Sequence, residues 1–319
     1  RKLNYFKSLA KDSVIYGGAD LLSKVVAFFT FPLIAAALSP MAFGTLELIL
    51  TSTVLLGLVM NCGLNNSVQR FYWDKETRPT QRPVIVSSGL ATQVVFGLLA
   101  VSAGLLALPF IYPLVVERQL PLSWVALVAA LLLLAFHQWN QYLLDVTRLH
   151  MAPWRFFFIS LISKAGSALL GLWAVVILGL GIDGLLGAQA LVVLAVIPLA
   201  LIYVRKDLTL KVDRTWIKEL VQFGYPFIFA GLAFWLFGSM DRWMLAGMSS
   251  VEEVGVYSVA FRFASLVMFI SAAFGQAWSP VAIKIRTDNP KKYRDIYAQV
   301  LLLLTFVMLI FGGGLALFS

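Results

Sequence analysis

Lys24, Lys164 and Arg262 each stand well inside a long apolar run. A cation at bilayer depth costs at least roughly 2.5–3.5 kcal/mol on insertion scales, so each needs a reason to be there. At 1.5 Å per residue, Lys24 lies about 20 Å from the start of its run, and Lys164 and Arg262 about 14 Å from theirs. Snorkelling to an interface is hardest at such depths. Asp20 is one turn before Lys24 and Tyr16 one turn before that, which makes an i, i+4 stripe. Ser160 and Ser167 share a face with Lys164, and Ser258, Ser265 and Gln276 share one with Arg262. Faces of this kind do not point at lipid. For Asp20 and Lys24 two readings stand, an ion pair within one helix or a polar cavity. For Lys164 and Arg262 the sequence offers no carboxylate one turn away on the same helix, which leaves cavity lining or pairing between helices. Three cations against one carboxylate give a net positive interior. Its chemistry is anion binding through charge-assisted hydrogen bonds, which suit phosphoryl oxygens.

Other polar residues in apolar runs allow more than one reading. His137, Gln141 and Asp145 are spaced i, i+4, i+8, with Gln138 beside them. They would form a proton relay, since His titrates near neutral pH, or a hydrogen-bonded contact between helices. Asp241 and Arg242 sit near the end of a run, where pairing or anchoring suffices and a direct substrate role is the alternative. Glu47 is about 7 Å from the end of its run, near enough to the interface to be hydrated. Asn61 and Asn65 join helices or bind sugar, and Gly57, Gly63 and Gly171 permit close packing. Trp73, Trp124, Trp154 and Trp216 read as interfacial anchors. Cys62 is the single cysteine, and no CxxC or CxxH pair occurs, so neither an internal disulfide, a metal site nor a cofactor is expected.

The elements that position these residues are long helices. Hydrophobic residues make up 60% of 319 positions, charged residues 13%, and mean hydropathy is +0.86. A soluble domain of this length cannot cover so much apolar surface, whereas a bilayer removes the need. At about 20 residues per crossing, nine spans are predicted: 12–38, 43–66, 84–111, 122–146, 155–180, 184–204, 220–247, 253–283 and 295–318. The connecting segments on the N-terminal side hold 20 Lys and Arg, and the opposite ones only Arg118. Excess basic residues mark the cytoplasmic side, so the N-terminus is read as cytoplasmic. The +9 formal charge is then a topology signal, and nucleic acid is not an expected partner. Segment 1–11, with Leu3, Phe6 and Leu9 on one face, is predicted to lie on the inner leaflet ahead of the first span.

Ser39-Pro40-Met41-Ala42-Phe43-Gly44 and Ser250-Val251-Glu252-Glu253-Val254-Gly255 align at an offset of 211 residues. Six predicted spans separate them, an even number, so the repeats run parallel about an axis along the membrane normal. The expected architecture is an all-α polytopic helix bundle with two lobes of six spans. Residues 1–211 form the first lobe, and 212–319 the first three spans of the second. Two such units need about 420 residues, so the chain is expected to stop roughly three spans short.

Several segments resemble a known family. They are Lys7–Gly17, Phe31-Pro32-Leu33, Leu38–Glu47, Gly63-Leu64 with Arg70-Phe71-Tyr72, Phe223-Gly224-Tyr225-Pro226, Asp241-Arg242-Trp243-Met244-Leu245 and Val254–Ser258. The family is the polysaccharide biosynthesis proteins, the lipid-linked oligosaccharide (O-antigen-type) flippases of the multidrug/oligosaccharidyl-lipid/polysaccharide exporter superfamily. The resemblance implies a bacterial inner-membrane, multi-pass protein that is not an enzyme. It would turn undecaprenyl-pyrophosphate-linked glycans from the inner to the outer leaflet by alternating access. Lys24, Lys164 and Arg262 would then grip the pyrophosphate, with Asp20, His137, Gln141, Asp145, Asp241 and Arg242 in coupling or support. Implied partners are the lipid-linked glycan, membrane lipids and a glycan polymerase or other assembly proteins. A cation-coupled multidrug exporter of the same superfamily is the alternative, though its cavity should be acidic or apolar. A membrane-embedded glycan-modifying enzyme would depend on His137 or His150, the only two histidines.

Overall fold

A computed structural model of the chain describes the backbone of residues 2–150, 152–288 and 293–318. Side chains are described at 15, 17–150, 152–265, 274, 278, 282, 285 and 293–314. The described residues form eleven α-helices and no strand: α1 (Lys2–Ala37), α2 (Pro40–Asn61), α3 (Leu64–Tyr72), α4 (Arg82–Glu117), α5 (Trp124–Leu149), α6 (Pro153–Leu172), α7 (Gly181–Val204), α8 (Arg214–Gly224), α9 (Pro226–Met248), α10 (Val251–Asp288) and α11 (Tyr293–Phe318). A π-helical turn, Trp173–Ile177, prolongs α6. The protein is an all-α, multi-pass membrane bundle.

Local sequence sets the helix starts. Ser39 accepts the Ala42 amide at 3.2 Å, with Pro40 at the first helical position of α2. Ser123 caps α5 through Ala126 at 3.1 Å, and Asp213 caps α8 through Thr215 at 2.8 Å. Each side-chain oxygen satisfies an amide that no carbonyl of its own helix can reach. Ser250 repeats the Ser39 arrangement, accepting the Glu253 amide at 3.3 Å. The two turns aligned at the 211-residue offset are therefore capped alike.

Eight helical stretches among the described residues are long and apolar enough to cross a bilayer. They overlap eight of the nine predicted spans. The remaining one, 253–283, coincides with α10, whose side chains beyond 265 are described only in part. Two predicted elements differ. The interfacial segment 1–11 is not separate, because α1 runs unbroken from Lys2. Leu3, Phe6, Leu9 and the basic side chains of Arg1, Lys2, Lys7 and Lys11 lie outside the described residues, as do those of Lys284, Arg286, Lys291 and Lys292. The second span is not one helix: Cys62 and Gly63 adopt left-handed backbone, φ 47° and 65°, and split it into α2 and α3.

Gly63 has a packing reason as well as a conformational one. A Cβ there would collide with the Gly224 carbonyl, and one on Gly224 would collide with the Cys62 carbonyl. The α2–α3 break thus seats against the α8–α9 junction, where Ser67 also donates to the Leu220 carbonyl at 2.8 Å. Gly63→Ala should destabilise the protein by more than the roughly 1–2 kcal/mol of a left-handed non-glycine residue, because the collision adds to it. Thermal unfolding of the purified variant in detergent reads this, and a midpoint equal to that of the parent would contradict it.

The Cα positions divide into two compact units, Arg1–Val254 and Gly255–Ser319. In the first, α5 packs on α7 and α4, α6 on α1 and α7, and α2 on α9. Its core contains Tyr142, Leu143, Phe156, Ile159 and Leu220. Leu106 and Phe110 of α4 and Phe237 of α9 are mostly exposed. Such faces require hydrocarbon rather than water as their solvent. In the second unit, Trp278 of α10 meets Tyr297 of α11 edge-on, 5.4 Å between ring centres.

Candidate substrate-binding site

The first unit holds an open cavity of about 790 Å³ between α2, α5, α6, α7 and α9. Its polar wall is made by Asn61, His137, Gln138, Lys164, Ser167 and Gln189. Lys164 projects from α6, which packs along α1. Its Nζ donates to Asp20 Oδ1 at 2.6 Å, and Lys24 Nζ lies 3.5 Å from Asp20 Oδ2. Asp20 therefore sits between two ammonium groups, one from its own helix and one from α6. Lys164 both pairs across helices and lines a cavity, so the two readings of its position hold together. Lys24 pairs within its helix and is not in the cavity wall. These side chains are one-third to one-half exposed, which keeps them hydrated and their pairing weak. Two lysines on one carboxylate leave a positive excess.

The α5 wall is held from behind. Asn140 Nδ2 donates to Ser163 Oγ at 3.0 Å in a buried contact one residue from Lys164. Gly57 leaves room for Gln138: a Cβ there would lie 2.5 Å from the amide nitrogen. Gln138 in turn accepts from Asn61 Nδ2 at 3.5 Å. Asp145 is a hub, accepting from Asn65 at 2.6 Å, Gln141 at 3.2 Å and Arg148 at 3.1 Å. Gln141, Asp145 and Asn65 thus form a hydrogen-bonded contact between α5 and α3. His137 lines the cavity two turns from Asp145 and has no hydrogen bond to Gln141 among the described residues.

Arg242 is buried on α9. Its Nε lies 3.6 Å from Glu47 Oε2, and its Nη1 donates to the Gly238 carbonyl at 2.8 Å and approaches Asp241 Oδ1 at 3.4 Å. The expectation that Glu47 is hydrated is corrected: its side chain is only 6% exposed. Its distance from the helix end would admit water, but α9 covers that end of α2. Sequence reasoning also missed two anchors of this seam. Trp243 donates to Thr51 Oγ1 at 3.0 Å and Trp235 to the Thr51 carbonyl at 2.8 Å. Tryptophans in apolar runs read as packing, and only their indole N–H groups hinted at a partner.

Arg262 lies on α10 in the second unit, where Ser265 donates to its carbonyl at 2.7 Å and Ser258 is buried. The Tyr16 and Gln276 side chains lie outside the described residues. Among the described residues no group of three or more His, Cys, Asp or Glu is placed to hold a metal ion.

The family model described as "Polysaccharide biosynthesis protein" matches residues 9–286. No curated protein matches the chain. The chain is similar to a solved structure titled "Outward-facing conformation of a multidrug resistance MATE family transporter of the MOP superfamily", with a TM-score of 0.59 and 16% identity over 95% of this chain and 70% of that one. It is also similar to a crystal structure of MATE in complex with MaD5, with a TM-score of 0.56 and 18% identity over 97% of this chain and 77% of that one. At such identities the likeness establishes the fold.

Proposed function

Because the chain belongs to the polysaccharide biosynthesis protein family, we propose that it is a flippase that moves an undecaprenyl-pyrophosphate-linked oligosaccharide from the inner to the outer leaflet by alternating access. The observation that carries this reading is Lys164, a cation in the wall of a large, mainly apolar cavity, paired among the described residues with a half-exposed carboxylate. A diphosphate offers more charge and more acceptor oxygens than Asp20, so it displaces Asp20 from Lys164 without leaving a buried group unpaired. Amide side chains at Asn61, Gln138 and Gln189 then supply neutral donors around it. A cationic drug would meet the Lys164 ammonium in this wall, which has no Asp or Glu among its described lining residues.

In this reading the basic side faces the cytoplasm of a bacterial inner membrane and residues 1–211 form one lobe, with 212–319 opening the second. Lys24 adds to the positive field at Asp20. Arg262 enters on its charge and its place inside the apolar α10. His137, Gln141 and Asp145 support the cavity wall, and Asp241 and Arg242 the α2–α9 seam. Partners are membrane lipids, the lipid-linked glycan and a polymerase or other assembly proteins that take up the product.

Asp20→Asn removes the competing counter-ion and tests the reading directly. In lipid nanodiscs it should raise affinity for undecaprenyl pyrophosphate on the order of tenfold, about 1.4 kcal/mol. Unchanged or lower affinity would show that the diphosphate does not replace Asp20.

A further inference from the structure

A second cavity, of about 360 Å³, opens where α3 meets the C-terminal end of α5. That volume is at the small end of ligand pockets, which run from about 300 to 1,000 Å³. Asn65, Asn66, Gln69, Trp73, Asp145 and Arg148 are in its wall, and Asn66 also lines the larger cavity, so the two spaces adjoin there. The pocket has few free charges. Asp145 accepts from Asn65, Gln141 and Arg148, and the Arg148 guanidinium also lies over the Phe156 ring at 4.3 Å. With its carboxylate and its guanidinium engaged with each other, the site suits neither a cation nor a second phosphate.

What remains is neutral polarity beside an aromatic plane. The clamp on Asp145 fixes Asn65 by its amide nitrogen, and the Asn65 Oδ1, though buried, has no hydrogen-bond partner among the described residues. A buried acceptor left so costs roughly 1–3 kcal/mol. Asn66 and Gln69 are exposed amides, each able to donate and accept. Trp73 is 51% exposed, with the Arg82 guanidinium 5.0 Å from its ring centre. Hydroxyls also donate and accept, and the C–H faces of a pyranose pack on an indole.

We propose that this second cavity is a saccharide subsite that receives sugar residues of the substrate whose diphosphate lies at Lys164. The proposal rests on the flippase reading for the identity of its ligand and not for its chemistry. Asn66, in both walls, puts the two spaces side by side, and the proposal has one molecule reach across it. The subsite gives the protein a means of reading the glycan as well as its carrier.

The test measures binding to the full chain in lipid nanodiscs, using undecaprenyl pyrophosphate, the same lipid linked to a disaccharide, and the free disaccharide. The linked disaccharide should bind about tenfold tighter than the bare lipid. Trp73→Ala and Gln69→Ala should each erase most of that increment and leave bare-lipid affinity unchanged, which also certifies their folding. Trp73→Phe should retain most of it. Equal losses on both lipids, or no loss on either, would overturn the subsite. Free disaccharide binding as tightly as the linked one would assign the pocket to a soluble sugar and overturn it as well. Lys164→Ala separates the two proposals, because it should weaken both lipids. If it weakens neither while Trp73→Ala still erases the sugar increment, the diphosphate site fails and the saccharide site stands.

Discussion

Arg242→Ala should destabilise the folded protein by roughly 3–5 kcal/mol, the usual result of removing one partner from a buried ion pair. Arg242 and Glu47 are 8% and 6% exposed and lie on α9 and α2, so losing the guanidinium takes an ion-pair partner from a buried carboxylate. The Gly238 carbonyl and Asp241 lose a donor at the same time. The penalty comes from the buried carboxylate's weakened compensation more than from a strong attraction, since the Nε–Oε2 distance is 3.6 Å. The double change Glu47→Gln with Arg242→Met should therefore be much milder than Arg242→Ala alone. Thermal unfolding in detergent and a double-mutant cycle measure both effects. A single-variant loss within about 0.5 kcal/mol would show that Trp235 and Trp243, through Thr51, hold the seam without the ion pair.

Lys164→Ala should lower glycan export roughly 10–100-fold in a strain depleted of its own flippase, with protein levels unchanged. The magnitude corresponds to a hydrogen bond to a charged group, about 1.5–3 kcal/mol. Stability should change little, because the Lys164–Asp20 pair is partly solvated and Asp20 keeps Lys24. Lys164→Arg should restore much of the export, because a guanidinium also binds phosphoryl oxygens, though from a longer and planar head. Lys24→Ala should have a smaller effect, since Lys24 pairs with Asp20 and is not in the cavity wall. Normal export with Lys164→Ala at ordinary protein levels would remove the cation from the mechanism.

Much of the helical framework is legible in the sequence because bilayer spans need long apolar runs and helix starts need caps. Ser39-Pro40 and Ser250 mark two starts by the same physics, and both are capped as their residue types require. The α2–α3 break was not legible, because Cys62 has no special preference for the left-handed conformation and Gly63 fits a packing role equally well. Its reason lies 161 residues away, at Gly224. The site was half legible. Lys164 stands out by its depth, yet the carboxylate it binds is 144 residues distant, and only the packing of α6 on α1 brings them together. Spacing along one helix gave Asp20 to Lys24, and tertiary structure made that pair a triad. Glu47 shows the converse, since depth measured along a helix takes no account of the neighbour that covers it.

The most direct measurement is a structure of the protein in a nanodisc with undecaprenyl-pyrophosphate-linked glycan bound. The account predicts a phosphoryl oxygen within hydrogen-bonding distance of Lys164 Nζ, with Asp20 Oδ1 withdrawn from its present 2.6 Å contact. A bound diphosphate elsewhere, with the Asp20–Lys164 contact intact, would contradict it.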